Sequence, residues 1–379
     1  MKDYNRESLK IHRKLSGKIN IDLKAKINNL DDLSIYYTPG VGAVSNYLHR
    51  NPEKTNKYTW INNLIAVISD GSAVLGLGNI GPKAALPVME GKTMLFKQLA
   101  GIDAIPLVLD VHQPKQIVEV VKAVAPSFGG INLEDIAAPT CFEVEEILKK
   151  ELSIPIMHDD QHGTAIVTLA GLINATKLRK ISMDQSKIVI VGTGAAGTAI
   201  IKLIHLYAPK ASIVAVDSSG IISKSRSDLN KYKKKLLKIT NLNNQDGLLE
   251  DALKEADIFI GVSKPKLLNE SLIKSMNKNP IIFAMANPEP EIYPNLAIKA
   301  GAFIVASGRS DFKNQVNNAL AFPGIFRGAL DNKVNQITDE HKIAAAIQIA
   351  KLVKKPSQDQ IVPSIFNKDL VKNIAKVIT

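Results

Sequence analysis

Short apolar runs alternate with polar and glycine-rich stretches along the chain, which is the pattern of buried strands separated by helices. Nine runs have the length of a strand: 64–68, 105–109, 131–136, 154–157, 188–191, 213–216, 258–262, 281–285 and 303–306. The spacing between successive runs leaves room for crossover helices, which parallel strands require. The pattern therefore predicts an α/β fold with parallel sheets.

The pattern changes near Asp160, and this change predicts two domains, residues 1–160 and residues 161–379. A chain of 379 residues is long enough for two separate cores. In the second part, helices and strands alternate as in a doubly wound, Rossmann-type sheet. A helical tail ends the chain, and Thr338 is a suitable cap for a helix that runs to Val353.

Composition and charge narrow the class of protein. The chain is 45% hydrophobic and 22% charged, with no apolar run of transmembrane length and no secretory signal pattern, so we expect a cytoplasmic protein without a membrane partner. A single cysteine, Cys141, excludes an intrachain disulfide framework. The net charge is +12, but the densest lysine run, 231–238, has only Tyr232 as an interleaved aromatic. We interpret it as a solvated helix and expect no nucleic-acid partner.

A glycine fingerprint, G-x-G-x-x-G, lies between the apolar run 187–191 and a predicted helix, 198–207. In this context the loop's N–H groups and the helix N-terminus meet the pyrophosphate of a dinucleotide. An acidic residue, Asp217, ends the next strand, where it can accept from the adenosine ribose. The loop residues predicted to bind the cofactor are Gly192, Thr193, Gly194, Ala195, Ala196 and Gly197.

Asp217 also bears on the choice of cofactor. A carboxylate at this position repels the 2′-phosphate of NADP and favours NAD. Lys224 and Arg226 follow closely and are able to accommodate a phosphate, so NADP stays an alternative.

A second match to the fingerprint, Gly76-x-Gly78-x-x-Gly81, is less well placed. Pro82 follows its last glycine, and Pro87 interrupts the presumed helix. Two interpretations stay open. The segment is either a glycine-rich turn or a loop whose backbone lines the substrate site.

Two acidic pairs end apolar runs of the first part. Glu134 and Asp135 follow one strand, and Asp159 and Asp160 follow another. Open α/β sheets bind ligands at these strand ends, and oxygen-only ligation suits Mg²⁺ or Mn²⁺. The alternative is that Asp159 or Asp160 caps a helix starting near Gly163, while the other pair lies on the surface.

At this point the motifs resemble a known family, the compact bacterial malic enzymes, from about Tyr37 to Gly328. The segments that carry the resemblance are 37–42 (YTPGVG), 74–81 (VLGLGNIG), 87–92 (PVMEGK), 129–136 (GGINLEDI), 158–165 (HDDQHGTA), 286–288 (ANP) and 317–324 (NNALAFPG). The resemblance implies oxidative decarboxylation of malate to pyruvate and CO₂, reduction of NAD or NADP, a divalent cation and a homodimer.

The resemblance also implies a role for each matching residue. Lys92 is implied as the general base and Tyr37 as the general acid, either of them near the subunit boundary, with Asp159 beside the base. Asn287 and Asn318 match asparagines that contact the cofactor or substrate. The implied metal ligands are Glu134, Asp135 and Asp160.

One position departs from the family pattern. The larger eukaryotic enzymes have an arginine before the first glycine loop, where it clamps a carboxylate of malate, and this chain has Val74. Asn287, Asn318 or backbone amides of residues 76–81 are the candidates to replace it.

Overall fold

Two sheets, one in each part of the chain, carry the fold of the residues that the computed structural model describes, 3–74 and 76–379. The first sheet has the order β2-β1-β3-β4, and all its strands are parallel. Its strands are β1 Leu64–Ser69, β2 Asp103–Val108, β3 Gly130–Leu133 and β4 Ile156–His158.

The second sheet has the order β10-β9-β8-β5-β6-β7, and only β7 at its edge is antiparallel among the described strands. The chain starts in the middle of this sheet and winds outwards in both directions, which is the doubly wound topology. Its strands are β5 Lys187–Val191, β6 Ser212–Asp217, β7 Gly220–Ile221, β8 Ile258–Gly261, β9 Ile281–Ala284 and β10 Ile304–Ser307.

Helices connect the strands and cover the sheets. They are α1 Tyr4–Leu15, α2 Leu30–Tyr36, α3 Val41–Arg50, α4 Thr55–Tyr58, α5 Pro82–Ala100, α6 Pro114–Val124, α7 Thr140–Glu151, α8 Asp159–Arg179, α9 Ala195–Tyr207, α10 Lys231–Leu236, α11 Leu249–Leu253, α12 Glu270–Lys274, α13 Pro294–Lys299, α14 Phe322–Asp331, α15 Asp339–Lys351 and α16 Leu370–Ala375. As predicted, Thr338 caps α15, where its side chain accepts from the N–H of His341.

The largest apolar core joins the two sheets, since it contains Ile65 and Val67 of β1 together with Ile188 and Ile190 of β5. Helix α8 is buried along most of its length within this core. The domain boundary predicted at residue 160 lies in the first turn of α8 and stays a prediction.

The N-terminal segment, residues 3–63, differs from the rest because it contains no buried residue. Eighteen of the twenty-six exposed large apolar side chains among the described residues lie in it, although it is a small part of the chain. Helices as short as α1 to α4 depend on packing for their stability. Most of their large apolar side chains are nevertheless exposed within one copy of the chain.

The α/β class and all nine predicted strands are confirmed, with ends that differ by a few residues. Two predictions about helices were wrong. Pro87 does not interrupt its helix, because α5 continues through it to Ala100 and loses at most one hydrogen bond there. Helix α8 starts at Asp159, not near Gly163, so both aspartates belong to its first turn and the capping position is His158.

Candidate active site

A cavity of about 700 Å³ lies where the carboxyl ends of both sheets meet. Residues after β3, β4, β5, β8, β9 and β10 contribute to its lining. Such crevices are where open α/β sheets bind their ligands. The lining includes Lys92, Glu134, Asp135, Asp160, Ala196, Ser263, Asn287 and Asn318.

The predicted metal ligands come together in this cavity. Because β3 and β4 are parallel neighbours, with Leu133 beside His158, the residues after their ends are adjacent. One oxygen each of Glu134, Asp135 and Asp160 lies within 4.8 Å of the others. A turn at Asp135, where φ is 53°, directs its backbone N–H to Asp160 Oδ2 at 2.7 Å. This all-oxygen set fits Mg²⁺ or Mn²⁺.

Lys92 of α5 is in direct contact with two of the acids. Its Nζ lies 2.6 Å from Asp159 Oδ2 and 2.7 Å from Glu134 Oε1, and 4.3 Å from the centre of the Phe322 ring. Burial by itself lowers the pKa of Lys92, but the carboxylates, Asp159 foremost, outweigh it and raise this pKa above its usual value. The ordinary ammonium form is therefore held in place.

The charges around Lys92 do not balance. Among the described residues, the carboxylates of Asp159, Glu134 and Asp160 act on the single ammonium group of Lys92, an excess of two negative charges when all three are ionised. Burial raises the pKa of Glu134 and of Asp159, because a dry site disfavours uncompensated charge. A divalent cation held by these carboxylates would compensate the excess, and its positive charge would lower the pKa of Lys92.

Asp159 is fully buried, and a glycine makes the space for it. One turn later in α8, a Cβ at Gly163 would lie 1.9 Å from Asp159 Oδ1. The Asp159 Oδ2 contact to Lys92 matches the role that the resemblance implies, a neighbour of the base.

The loop 192–197 joins β5 to α9 in the manner of a dinucleotide site. Gly192 has a φ of 100°, which favours glycine. A Cβ at Gly197 would lie 1.7 Å from the carbonyl oxygen of Gly192, so a side chain there would push the helix away from the loop. Ala196, in the first turn of α9, reaches the cavity lining.

Asp217 lies at the end of β6 as predicted, but its carboxylate already accepts four hydrogen bonds. Arg226 donates to both oxygens at 2.7 and 3.1 Å, Lys233 donates at 2.6 Å, and the N–H of Ser219 at 2.9 Å. Burial opposes ionisation, yet Arg226 and Lys233 hold the pKa of Asp217 below its usual value. Arg226 is therefore engaged with Asp217 and not free for a phosphate.

The first glycine loop belongs to the cavity, which favours the second of its two interpretations. Gly76 lines the cavity, and a Cβ there would lie 1.9 Å from the carbonyl oxygen of Asn287. Val74 is buried, and its N–H donates to the carbonyl of Gly78 at 2.9 Å. An apolar side chain at this position cannot clamp a carboxylate.

Tyr37, the predicted general acid, does not line the cavity of its own copy. It follows the last residue of α2, is 64% exposed and is not among the lining residues. Conversely, His12 and Lys18 near the N-terminus do line the cavity, and no sequence motif indicated them. Lys18 donates through its Nζ to the carbonyl oxygen of Pro87.

Comparison with known proteins agrees with this geometry. Residues 16–149 match the family described as "Malic enzyme, N-terminal domain", and residues 161–379 match "Malic enzyme, NAD binding domain". The chain belongs to the malic enzyme family. Its reaction is therefore the oxidative decarboxylation of malate with reduction of NAD or NADP, as the motifs predicted.

Individual malic enzymes are similar over almost the whole chain. A bifunctional malic/malolactic enzyme of Bacillus subtilis is 52% identical over 98% of this chain and 91% of its own. An NAD-dependent malic enzyme of Geobacillus stearothermophilus is 49% identical over 96% of this chain and 76% of its own. The crystal structure of the NAD-dependent malic enzyme of Thermotoga maritima superimposes with a TM-score of 0.95, at 47% identity and 98% coverage of both chains.

Cofactor use varies among the relatives. An NADP-dependent malic enzyme of Halomonas elongata is 44% identical over 97% of this chain and 87% of its own. The chain thus combines an NAD(P)-binding domain of the malic enzyme family with an acidic cluster of the kind that holds a divalent metal. Among the described residues, no helix has the length and apolar character needed to cross a membrane.

Proposed function

We propose that Lys92 is the general base of malate oxidation and that Glu134, Asp135 and Asp160 hold the divalent cation. The observation that carries this proposal is the buried contact of Lys92 Nζ with Asp159 and Glu134 inside the cavity. A cation held by these residues would supply a Lewis acid for the C2 oxygen of malate. Lys92 takes the proton from that hydroxyl group, and Asp159 orients the amine and balances its charge.

The cofactor site proposed here runs from loop 192–197 to the cavity. The loop and the N-terminus of α9 receive the pyrophosphate, and Asn287 contacts the nicotinamide end. When bound, NAD or NADP supplies the hydride acceptor next to C2. This arrangement is supported by Ala196, Ser263 and Asn287, which all line the cavity that contains Lys92.

The group that replaces the missing arginine is proposed to be composite. Asn318 and Asn287 line the cavity and donate hydrogen bonds through their amides. Lys18 adds a positive charge at the same wall, where its backbone N–H is held by Glu90 Oε2 at 3.0 Å. A cation and amides together are suited to a dicarboxylate substrate.

A homodimer is part of the proposal, with Tyr37 supplied to the cavity of a second copy. The exposed apolar segment 3–63 needs a partner, and the cavity needs a proton donor for C3 that Tyr37 of the same copy does not provide. A second copy that packs on the segment meets both needs at once. Cytoplasmic localisation is also proposed, which the lone cysteine supports.

The activity is tested with malate, Mn²⁺ and either cofactor, followed at the absorbance of the reduced nicotinamide. We expect pyruvate and CO₂; absence of turnover with both NAD and NADP would contradict the assignment. Because one relative is named a malic/malolactic enzyme, the products should be assayed for lactate as well. The Lys92→Ala variant should lose most turnover, and added small amines should restore part of it.

The position of Tyr37 is tested with a purified heterodimer of Tyr37→Phe and Lys92→Ala subunits. If Tyr37 acts on the other copy, one of its two sites is complete, and we expect about half of the wild-type turnover. A heterodimer of Lys92→Ala and Asp135→Asn subunits is the control, since both residues line one cavity, and it should stay inactive. An inactive first heterodimer would show that each Tyr37 acts within its own chain.

A further inference from the structure

Another buried carboxylate, that of Glu145 in α7, lies outside the cavity lining and contacts the segment that carries Asp159 and Asp160. Its Oε1 accepts from the backbone N–H of His158 at 3.0 Å and from Lys149 Nζ at 2.8 Å. Its Oε2 accepts from His162 Nε2 at 2.8 Å and from Gln161 Nε2 at 3.4 Å. Both oxygens are thus fully engaged.

These contacts fall on both sides of Asp159 and Asp160. His158 precedes the pair at the end of β4, and His162 follows it in the first turn of α8. A single carboxylate therefore fixes the turn from strand to helix before and after the two aspartates. The same turn sets where Asp160 Oδ2 meets the N–H of Asp135.

The contacts of Glu145 favour its ionised form. Burial opposes its ionisation, but His162 and Lys149 outweigh burial and hold the pKa of Glu145 well below its usual range. A buried carboxylate with four donors cannot be replaced by a neutral group without leaving donors unpaired. Nothing in the motif HDDQHGTA indicates this partner, because it comes from another helix.

We infer that Glu145 is a positioning residue of the metal site, which acts by holding the turn 158–162 so that Asp160 and Asp159 face Glu134, Asp135 and Lys92. The inference rests on the proposed metal site. Partners that orient metal ligands commonly change metal affinity by about 10–100-fold when they are removed. Glu145 acts on the metal ligands indirectly, through the backbone N–H of His158 and the side chains of Gln161 and His162.

The test compares Glu145→Gln with Glu146→Gln. Glu146 is the next residue on the same helix, and its carboxylate is half exposed and lies 3.8 Å from Lys235 Nζ. Free Mn²⁺ is measured by electron paramagnetic resonance during titration of each protein without malate. We expect Glu145→Gln to bind Mn²⁺ about 10–100-fold more weakly and Glu146→Gln to match the wild type. NAD affinity by calorimetry should be unchanged in both.

Wild-type Mn²⁺ affinity in a folded Glu145→Gln protein would overturn the inference, and so would an equal loss of Mn²⁺ and NAD affinity. If Glu145→Gln does not fold, His162→Gln removes the ring and keeps a donor, while His162→Leu removes the donor. The leucine variant should then bind Mn²⁺ more weakly than the glutamine variant, and equal affinities would again overturn the inference. A wild-type protein that binds no Mn²⁺ would instead refute the metal site itself.

Discussion

Two buried lysines allow the charge balance of the cavity to be tested through stability. Lys92 and Lys342 are equally buried, at 7% and 5% exposure. The carboxylates around Lys92 raise its pKa, whereas burial and the nearby Lys149 lower the pKa of Lys342. Replacing each lysine by methionine keeps most of the volume and removes the charge. The two substitutions should therefore have different effects on the free energy of unfolding.

The expected magnitude follows from what each lysine leaves behind. Glu134 and Asp159 are both at most 5% exposed, and the substitution removes the one ammonium group that forms an ion pair with them among the described residues. Removal of one partner of a buried ion pair costs about 3–5 kcal/mol. Lys342 contacts Asp339, which is 56% exposed and can be solvated, so Lys342→Met should be neutral or slightly stabilising.

Urea unfolding followed by circular dichroism, with a chelator present, measures both effects. Fluorescence is unsuitable because the single tryptophan, Trp60, lies in the exposed N-terminal segment. Mn²⁺ at about a hundred times its Kd should then add about 2.7 kcal/mol to Lys92→Met. The deficit of this variant should shrink as the pH falls, because Glu134 and Asp159, whose pKa values burial raises, then take up protons in the folded state. Equal costs for the two substitutions would refute the reasoning.

Three further predictions concern single residues. Asp135→Asn should weaken Mn²⁺ binding and lower turnover with little change in NAD affinity; unchanged Mn²⁺ dependence would remove Asp135 from the ligand set. Asp217→Ser releases Arg226 and Lys233, which then can bind a phosphate group. Because a hydrogen bond to a charged group contributes about 1.5–3 kcal/mol, binding of 2′,5′-ADP should tighten relative to 5′-AMP by roughly tenfold or more. Calorimetry measures both affinities, and an unchanged ratio would contradict the prediction. Thr338→Ala should lower the free energy of unfolding by about 1 kcal/mol through loss of the α15 cap, and a denaturation midpoint equal to that of the wild type would contradict this.

Much of the fold could be predicted because parallel strands buried on both faces are nearly continuous apolar runs. The edge strand β7 was missed, since Gly220–Ile221 is too short to give a pattern. Pro87 was misinterpreted because the local sequence shows only that a proline destabilises a helix. It does not show that α5 packs against β1 and β2, which offsets this destabilisation. The start of α8 was misplaced for a related reason, as its first turn is fixed by Glu145 of another helix and not by a local cap.

The site divides in the same way, according to whether a residue's position depends on its own strand or on a distant element. Glu134, Asp135 and Asp160 were predictable because neighbouring parallel strands bring the residues after them together whatever the rest of the chain does. Lys92 depends on α5, and the saturated carboxylate of Asp217 depends on α10 through Lys233, so spacing alone gave neither contact. The contact of Lys92 with Asp159 and Glu134 joins three separate elements, and the excess of carboxylates over ammonium groups at this point is what supports the proposal of a cation site rather than a structural ion pair.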